Sequence, residues 1–565
     1  MSWPAASIAE TLARLTAPGM PFETAPVEVH GRTVRAYVRA KPHMRAVLDE
    51  SRRFGDRPYL VFEDERLSFE THWRAASAFG RLLVERYGIA KGDRVAVAMR
   101  NFPEWSVCAW GALAVGAVLT PLNAWEPGPV LARMLADSGA KVVAVDAERL
   151  ERLRGEAVDA ELILARGAGD APTLADLIGP YADLPDAPAP DPGLSSDDPA
   201  TIFYTSGTTG QAKGAWGTHR NIATNLVNTG FRAARAAVRR GDPWPPPAAA
   251  LPAPRAQLLP LPFFHVTGFH SALVPAMANG GTLVLMYKWD AGRALDLIAR
   301  ERIQGLTLVP TQAWQLVEAA EGSEVDLGCV DTVGYGGAAA APELAERVRA
   351  VFPAAWPGQG YGATETSSLT AANSHEDMME RPGSVGIAAP CCDLRVVDAE
   401  GSDVAPGEPG ELWVSGPNVV LGYWNQPEAT EAAFGGGWYR TGDIVRRDAE
   451  GFITLLDRAK DMLIRGGENI YCVEIEDVLM SHPAVAEAAV MGVPERVLGE
   501  VVGAVVRLRD GWAAAPEDLR RHAAARLPSH KVPVILQLRD APFPRNAAGK
   551  ALKRELRSEL PARLA

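Results

Sequence analysis

Between about residue 60 and residue 360, short apolar runs of strand length alternate with segments whose apolar positions recur every three or four residues. DRVAVAM (93–99) leads into FPEWSVCAWGALAVG (102–116), AKVVAVDA (140–147) into ERLERLRGEA, GTLVLM (281–286) into AGRALDLIARER, and GLTLVP (305–310) into TQAWQLVEAA. Such alternation predicts α/β units with largely parallel sheets covered by helices. From residue 380 the runs shorten and are punctuated by glycine, as in GELWVSG and GFITLLDR, which predicts a smaller β-rich subdomain. A mixed α+β module follows, with a helix at 473–481, strands at 485–491 and 501–508, and a helix at 516–526. The expected fold class is therefore α/β: a large N-terminal domain, residues 1–459, of α/β subdomains with a β-rich subdomain, and a small α+β C-terminal domain, residues 460–565.

Clustered prolines in RRGDPWPPPAAALPAPRAQ (239–257) forbid a regular helix or central strand and predict a long surface excursion or flap. MSWPAASIAETLARL has neither the basic start nor the apolar core of a signal peptide and reads as a short amphipathic helix. WSVCAWGALAVGAVLTPLNAW (105–125) approaches membrane-spanning length, but Ser106, Thr120, Pro121 and Asn123 interrupt it; a buried helix running into a buried strand is expected.

At 565 residues the chain exceeds one hydrophobic core, and its net charge of −12 argues against nucleic acid as the main partner. Any anionic ligand must be gripped locally. The five cysteines (Cys108, Cys329, Cys391, Cys392, Cys472) show no metal spacing and no even framework, which suits a reducing cytoplasm.

One local grip stands out. YTSGTTGQAKG (204–214) packs hydroxyls, glycines and one lysine together, after the β-favouring run PATIF and before THRNIATNLVNTG, where Thr218 can cap a helix. The expected order is strand, glycine loop, helix. Gly207 and Gly210 let the backbone approach an anion closely, Thr205, Ser206, Thr208 and Thr209 offer hydroxyls, and Lys213 a charge. Walker A spacing fails, because Lys213 stands three residues beyond the second glycine. Taken alone, the segment reads sooner as a polar surface turn, since short glycine motifs match often by chance.

Downstream come YGATET (361–366), YRTGD (439–443), DRAKDMLIRGGENIYCVEIE (457–476) and PRNAAGK (544–550). In this order and at these separations, the five motifs resemble the adenylate-forming superfamily of acyl-CoA synthetases, peptide-synthetase adenylation domains and luciferases, over nearly the whole chain. The resemblance implies that the 204–214 loop holds the β and γ phosphates of ATP. A carboxylate must become acyl-AMP, with release of pyrophosphate, before a thiol can displace AMP. That step brings two anions together and calls for Mg²⁺, a cation and hydrogen-bond donors.

By the resemblance, Glu365 is the Mg²⁺ ligand, with Thr208 as a hydroxyl contributor and Thr364 beside it; otherwise Glu365 is a solvated loop residue. Tyr361 with Gly362 resembles the adenine-stacking pair, Gly336 and Gly337 leaving room on the other face, against the alternative of a core tyrosine. Asp443 resembles the aspartate that accepts both ribose hydroxyls, and Arg458 its companion. Lys550 resembles the lysine that meets the carboxylate and phosphate during adenylation, and Lys460 the hinge about which a mobile C-terminal domain rotates. Gly466 and Gly467 would then line the path of the CoA thiol arm, with Lys531 toward the CoA nucleotide; an ordinary glycine turn is the other reading.

FFHVTGFHSAL (263–273) resembles the acyl-pocket segment, in which His265 either gates the acyl side or is a hydrogen-bonded core histidine. Residues 258–287 contain no Asp or Glu to pair a substrate ammonium, which favours an uncharged acyl chain over an α-amino acid. Ala212, Asn546 and Ala548 depart from the common motif pattern, as do Val532 and Val534, which stand where CoA-using members often carry basic residues. The implied function is an ATP-dependent acyl-CoA ligase for a hydrophobic carboxylic acid, a medium- or long-chain fatty acid or a ring acid, with ATP, Mg²⁺ and CoA. A homodimer is left open. The alternatives are an acyl-AMP ligase loading a carrier-protein thiol and a nucleotide- or acyl-binding pseudoenzyme.

Overall fold

The computed structural model describes residues 3–205, 212–245, 253–337, 340, 342–466, 468–545 and 551–564. Ser7 caps the N-terminal helix Ile8–Leu15 through a reciprocal capping box with Glu10.

Two large sheets build the first part of the chain. One has seven strands, in which Val118–Pro121, Arg94–Ala98, Val142–Asp146 and Glu161–Arg166 run parallel beside Pro199–Thr205. The apolar stretch at 105–125 divides as expected into the helix Pro103–Ala114 and the strand Val118–Pro121, both buried. Among the described residues no helix is long and apolar enough to cross a membrane.

The second sheet has thirteen strands. Its parallel centre comprises Pro58–Phe62, Thr282–Leu285, Ala256–Leu259, Gly305–Leu308, Thr332–Gly336 and Trp356–Tyr361. The short strands beyond residue 380 do not stand apart: Ala371–Ser374 and Ser384–Ala388 turn antiparallel and carry the sheet into Tyr439–Arg447 and Ile453–Arg458. The β-rich part is thus continuous with the α/β part, which carries residues of YRTGD to the same sheet as those of YGATET.

The order around the glycine loop differs from expectation. Lys213–Thr218 is a strand, antiparallel to Pro199–Thr205, and only then does Thr218 cap the helix His219–Arg240. The two strands therefore pair as the arms of a hairpin. The other neighbour of Lys213–Thr218 is Gly422–Tyr423, two hundred residues away, so no local pattern announces the strand. The proline-rich excursion is shorter than read, since the helix continues to Arg240 and a strand resumes at Ala256.

From Leu463 the chain forms a separate five-stranded sheet. The helices Cys472–Met480 and Pro516–Ala524 cover it, and Ile475, Leu479, Val490, Val502, Val506 and Leu519 fill its core. The helices and paired strands read at 473–526 are all present, with Val485–Glu495 and Gly499–Leu508 as the central antiparallel pair.

Candidate active site

A cavity of about 900 Å³ opens between the strand ends of the large sheets and the C-terminal module. Thr205, Lys213, Gly336, Gly337, Tyr361, Gly362, Thr364, Glu365, Asp443, Arg458, Lys460 and His265 all line it, so residues spread over 256 positions of sequence converge on one space.

Antiparallel pairing sets Asp443 directly across from Arg458. The Arg458 Nε lies 3.2 Å from Asp443 Oδ1, while the Tyr361 hydroxyl donates to Asp443 Oδ2 at 2.6 Å. Asp443 is buried and held from both sides, each oxygen keeping a lone pair for a further donor. Burial, followed by the Asp443 charge, pushes the Tyr361 hydroxyl well above its usual pKa, so it stays a donor. Gly336 and Gly362 have steric work here. A Cβ on Gly336 would stand 2.9 Å from the Gly360 carbonyl oxygen, and one on Gly362 would overlap the Ser368 carbonyl oxygen at 1.4 Å.

Glu365 sits on the other side of the cavity. The Tyr423 hydroxyl donates to its Oε1 at 2.8 Å, its backbone carbonyl accepts from Val420 N at 3.0 Å, and its second carboxylate oxygen carries no hydrogen bond among the described residues. The Lys213 ammonium lies 4.8 Å from the centroid of the Tyr423 ring and meets no carboxylate among the described residues. Thr205 Oγ1 donates to the Lys213 carbonyl at 3.3 Å across the hairpin. Ser206, Gly207, Thr208, Thr209, Gly210, Gly467 and Lys550 lie outside the described residues. Among those described, no three His, Cys, Asp or Glu side chains gather to cage a metal ion. Glu365 nonetheless fits Mg²⁺ of the kind carried by phosphates, as one hard carboxylate with an uncommitted oxygen beside a lysine suited to the same anion.

The C-terminal module closes the cavity. Ala459 N donates to the Gly442 carbonyl at 2.8 Å at the junction, and Arg545 and Leu552, on either side of 546–550, both line the cavity. Arg545 also pairs with Glu487 within its own module. Gly466 and Lys531 lie away from both cavities. Gly466 has φ +60° in the turn between Leu463–Arg465 and Glu468–Ile470, and Lys531 Nζ is 2.6 Å from Glu474. His265 caps a short turn, its Nδ1 accepting from Thr267 N at 3.3 Å, and sits where the main cavity meets a second one of about 460 Å³. Trp125, Phe264 and Arg545 also border both.

Sequence reasoning missed Tyr423, Glu411 and Arg545. Glu411, which accepts from Gly442 N at 3.0 Å, lies in an ordinary strand, and Tyr423 in a two-residue one; neither position has a local signal.

Residues 48–424 match the AMP-binding enzyme family and 474–550 the AMP-binding enzyme C-terminal domain. The chain belongs to the AMP-binding enzyme family. It is similar to a feruloyl-CoA synthase of Amycolatopsis sp, 34% identical over 83% of this chain and 89% of that one. A long-chain-fatty-acid–CoA ligase of Yersinia pestis is 33% identical over 90% and 92%. The solved structure of an o-succinylbenzoate CoA synthetase from Bacillus subtilis, in complex with its acyl-adenylate intermediate, superposes with a TM-score of 0.75 at 28% identity, covering 92% of this AMP-binding enzyme and 98% of that chain. This adenylate-forming enzyme is thus an AMP-forming acid–thiol ligase, of the acyl- or aryl-CoA ligase type.

Proposed function

We propose that the enzyme converts a carboxylic acid with a largely apolar body, a ring acid or a fatty acid, into its CoA thioester by way of an acyl-adenylate. The observation that carries this reading is the convergence, in one cavity, of a doubly held aspartate with a carboxylate oxygen and a lysine that have no hydrogen-bond or ion-pair partner among the described residues. These are the groups needed for a ribose, a phosphate-bound Mg²⁺ and a polyphosphate.

In this account Asp443, fixed by Tyr361 and Arg458, accepts the ribose hydroxyls, and the Tyr361 ring lies along the adenine between Gly336 and Gly362. Lys213, with the hydroxyls and N–H groups of Ser206 to Gly210, holds the terminal phosphates. Mg²⁺ neutralises phosphate charge, and Glu365 and Thr208 are the residues to hold it. Lys550, by the resemblance, meets the acid and the α-phosphate. The carboxylate oxygen bonds to the α-phosphorus as the bond to the β-phosphate breaks, and pyrophosphate leaves. In the second step the thiol sulfur bonds to the acyl carbon, its proton passes to solvent, and AMP departs.

We place the domain boundary between residues 459 and 460 and the hinge at Lys460, about which the C-terminal module turns for the second step. That turn would bring Gly466, Gly467 and Lys531 toward the thiol path, with His265 at its acyl end. The test is acid-dependent pyrophosphate release over a panel of carboxylic acids, followed by thioester formation with CoA or with a phosphopantetheinylated carrier protein. Acid-dependent release and a CoA thioester are expected. Release followed by transfer only to the carrier would overturn the CoA assignment, and no release with any acid would overturn the ligase reading.

A further inference from the structure

The helix His219–Arg240 follows the Lys213–Thr218 strand and runs along the cavity, carrying five arginines, of which Arg220 meets Asp197 at 2.6 Å. Three more have carboxylate partners. Arg235 and Arg239 approach Asp377 at 3.4 and 2.9 Å, and Arg240 meets Asp242 at 2.9 Å and Glu376 at 3.3 Å. Arg232, one turn closer to the loop, lines the main cavity and has no ion pair and no hydrogen bond among the described residues. Burial alone depresses its pKa, with no carboxylate to offset it.

The sheet makes room for this cation. Gly334 and Gly358 face each other in register on adjacent strands, and Cβ atoms there would come within 3.5 and 3.2 Å of Arg232 Nη1. Two bare positions side by side leave a patch on which a guanidinium rests. On the sheet side the neighbouring groups are neutral, while Arg235 on its own helix adds like charge. Thr307 pairs in register with Gly334, and Gln257 Nε2 donates to Thr307 Oγ1 at 2.7 Å. Gly336, at the nucleotide end, is two residues further along the same strand, about 7 Å away at strand rise. Arg232 therefore lies deeper than the nucleotide clamp, on the wall that the far end of the acid would reach.

A half-buried guanidinium with no carboxylate partner among the described residues favours a ligand that supplies its counter-charge. We propose that Arg232 receives a second carboxylate on the substrate, remote from the one that is adenylated, so that the acid is a dicarboxylate with a short or ring-sized spacer. The guanidinium fork matches a carboxylate with two parallel N–H···O bonds. A simple fatty acid would instead press an alkyl end against an unneutralised cation. The carboxylate-free stretch at 258–287 bears only on a substrate ammonium; this charge comes from a helix outside that window. The inference rests on the ligase reading.

The test compares diacids with the monoacids in which a methyl group replaces the distal carboxylate: benzene-1,4-dicarboxylate against 4-methylbenzoate, and hexanedioate against hexanoate. The readout is the ratio of kcat/KM for pyrophosphate release within each pair, which the folded fraction of a variant does not alter. Wild type should prefer at least one diacid, and Arg232→Met should lower that ratio by about 100-fold, through KM of the diacid, as expected for losing a charged hydrogen-bonded pair. Arg232→Lys should keep part of the preference; it carries the comparison if Arg232→Met is inactive. Preference for every monoacid in wild type, or a diacid preference unchanged in the variant, overturns the inference and leaves the ligase standing. No acid-dependent release at all removes the ligase reading and the inference with it.

Discussion

The Tyr361 hydroxyl donates to Asp443 Oδ2 at 2.6 Å, so the residue proposed to lie along adenine also orients the carboxylate proposed for the ribose. Tyr361→Phe separates the two roles by keeping the ring and removing the donor. The KM for ATP should rise about tenfold, the cost of one hydrogen bond to a charged group, with kcat changed less. ATP titration of pyrophosphate release checks it; an unchanged KM would mean that Arg458 alone fixes Asp443.

Tyr423 holds Glu365 as Tyr361 holds Asp443. Tyr423→Phe frees Glu365 Oε1 while leaving the ring beneath Lys213, and should raise the Mg²⁺ concentration needed for half-maximal pyrophosphate release several-fold. Glu365→Ala should depress release more strongly, with partial recovery at high Mg²⁺. If neither variant alters the Mg²⁺ dependence, Glu365 is not the ligand.

The parallel strands, the capped helices and the α+β module were legible because each is a local pattern: Val95 to Ala98 form an apolar run, and Thr218 stands just before a periodic segment. The strand Lys213–Thr218 was not. It contains two glycines and owes its conformation to partners on both sides, one of them distant. Among the described motif residues, Lys213, Tyr361, Glu365, Asp443 and Arg458 line one cavity, whereas Gly466 and Lys531 lie away from it. Tyr423 and Arg232 went unread because their meaning lies in what they face: a glutamate fifty-eight positions upstream and two glycines on neighbouring strands. Charge on a helix reads as solvated surface until the opposite wall is known.

Asp477, on the first helix of the C-terminal module, has its pKa pushed up to about 7 by burial and by the charges of Glu476 and Glu343. Its unfolded value is near 3.8, so between about pH 4 and 7 the folded protein binds the extra proton and stability falls as pH rises. The penalty is absent below that window and complete above it. Asp477→Asn should raise Tm at pH 8 and flatten the dependence of Tm on pH from 5 to 8. Thermal melts across this range check it; a parallel shift at every pH would contradict it.

Lys460 occupies the junction between Arg458, which touches Asp443, and the strand Leu463–Arg465 that begins the five-stranded sheet of the C-terminal module. Lys460→Pro restricts its own φ and the ψ of Ala459. It should slow thioester formation from preformed acyl-AMP while leaving acyl-AMP synthesis within a few-fold of wild type. Equal loss in stopped-flow assays of both half-reactions would place the hinge elsewhere.

The central claim is that one cavity makes acyl-AMP with the C-terminal module closed upon it, and that the module then withdraws. Arg545 and Leu552 reach the cavity from either side of the segment bearing Lys550, so Lys550 should matter in the first step alone. The most direct measurement is a single-turnover assay of each half-reaction with Lys550→Ala. Acyl-AMP formation should fall by about 10²- to 10³-fold, the usual cost of a preorganised charge contact at the transition state. Thioester formation from chemically prepared acyl-AMP and CoA should proceed near the wild-type rate. Equal impairment of both steps in a folded variant, or undiminished acyl-AMP formation, would contradict the account.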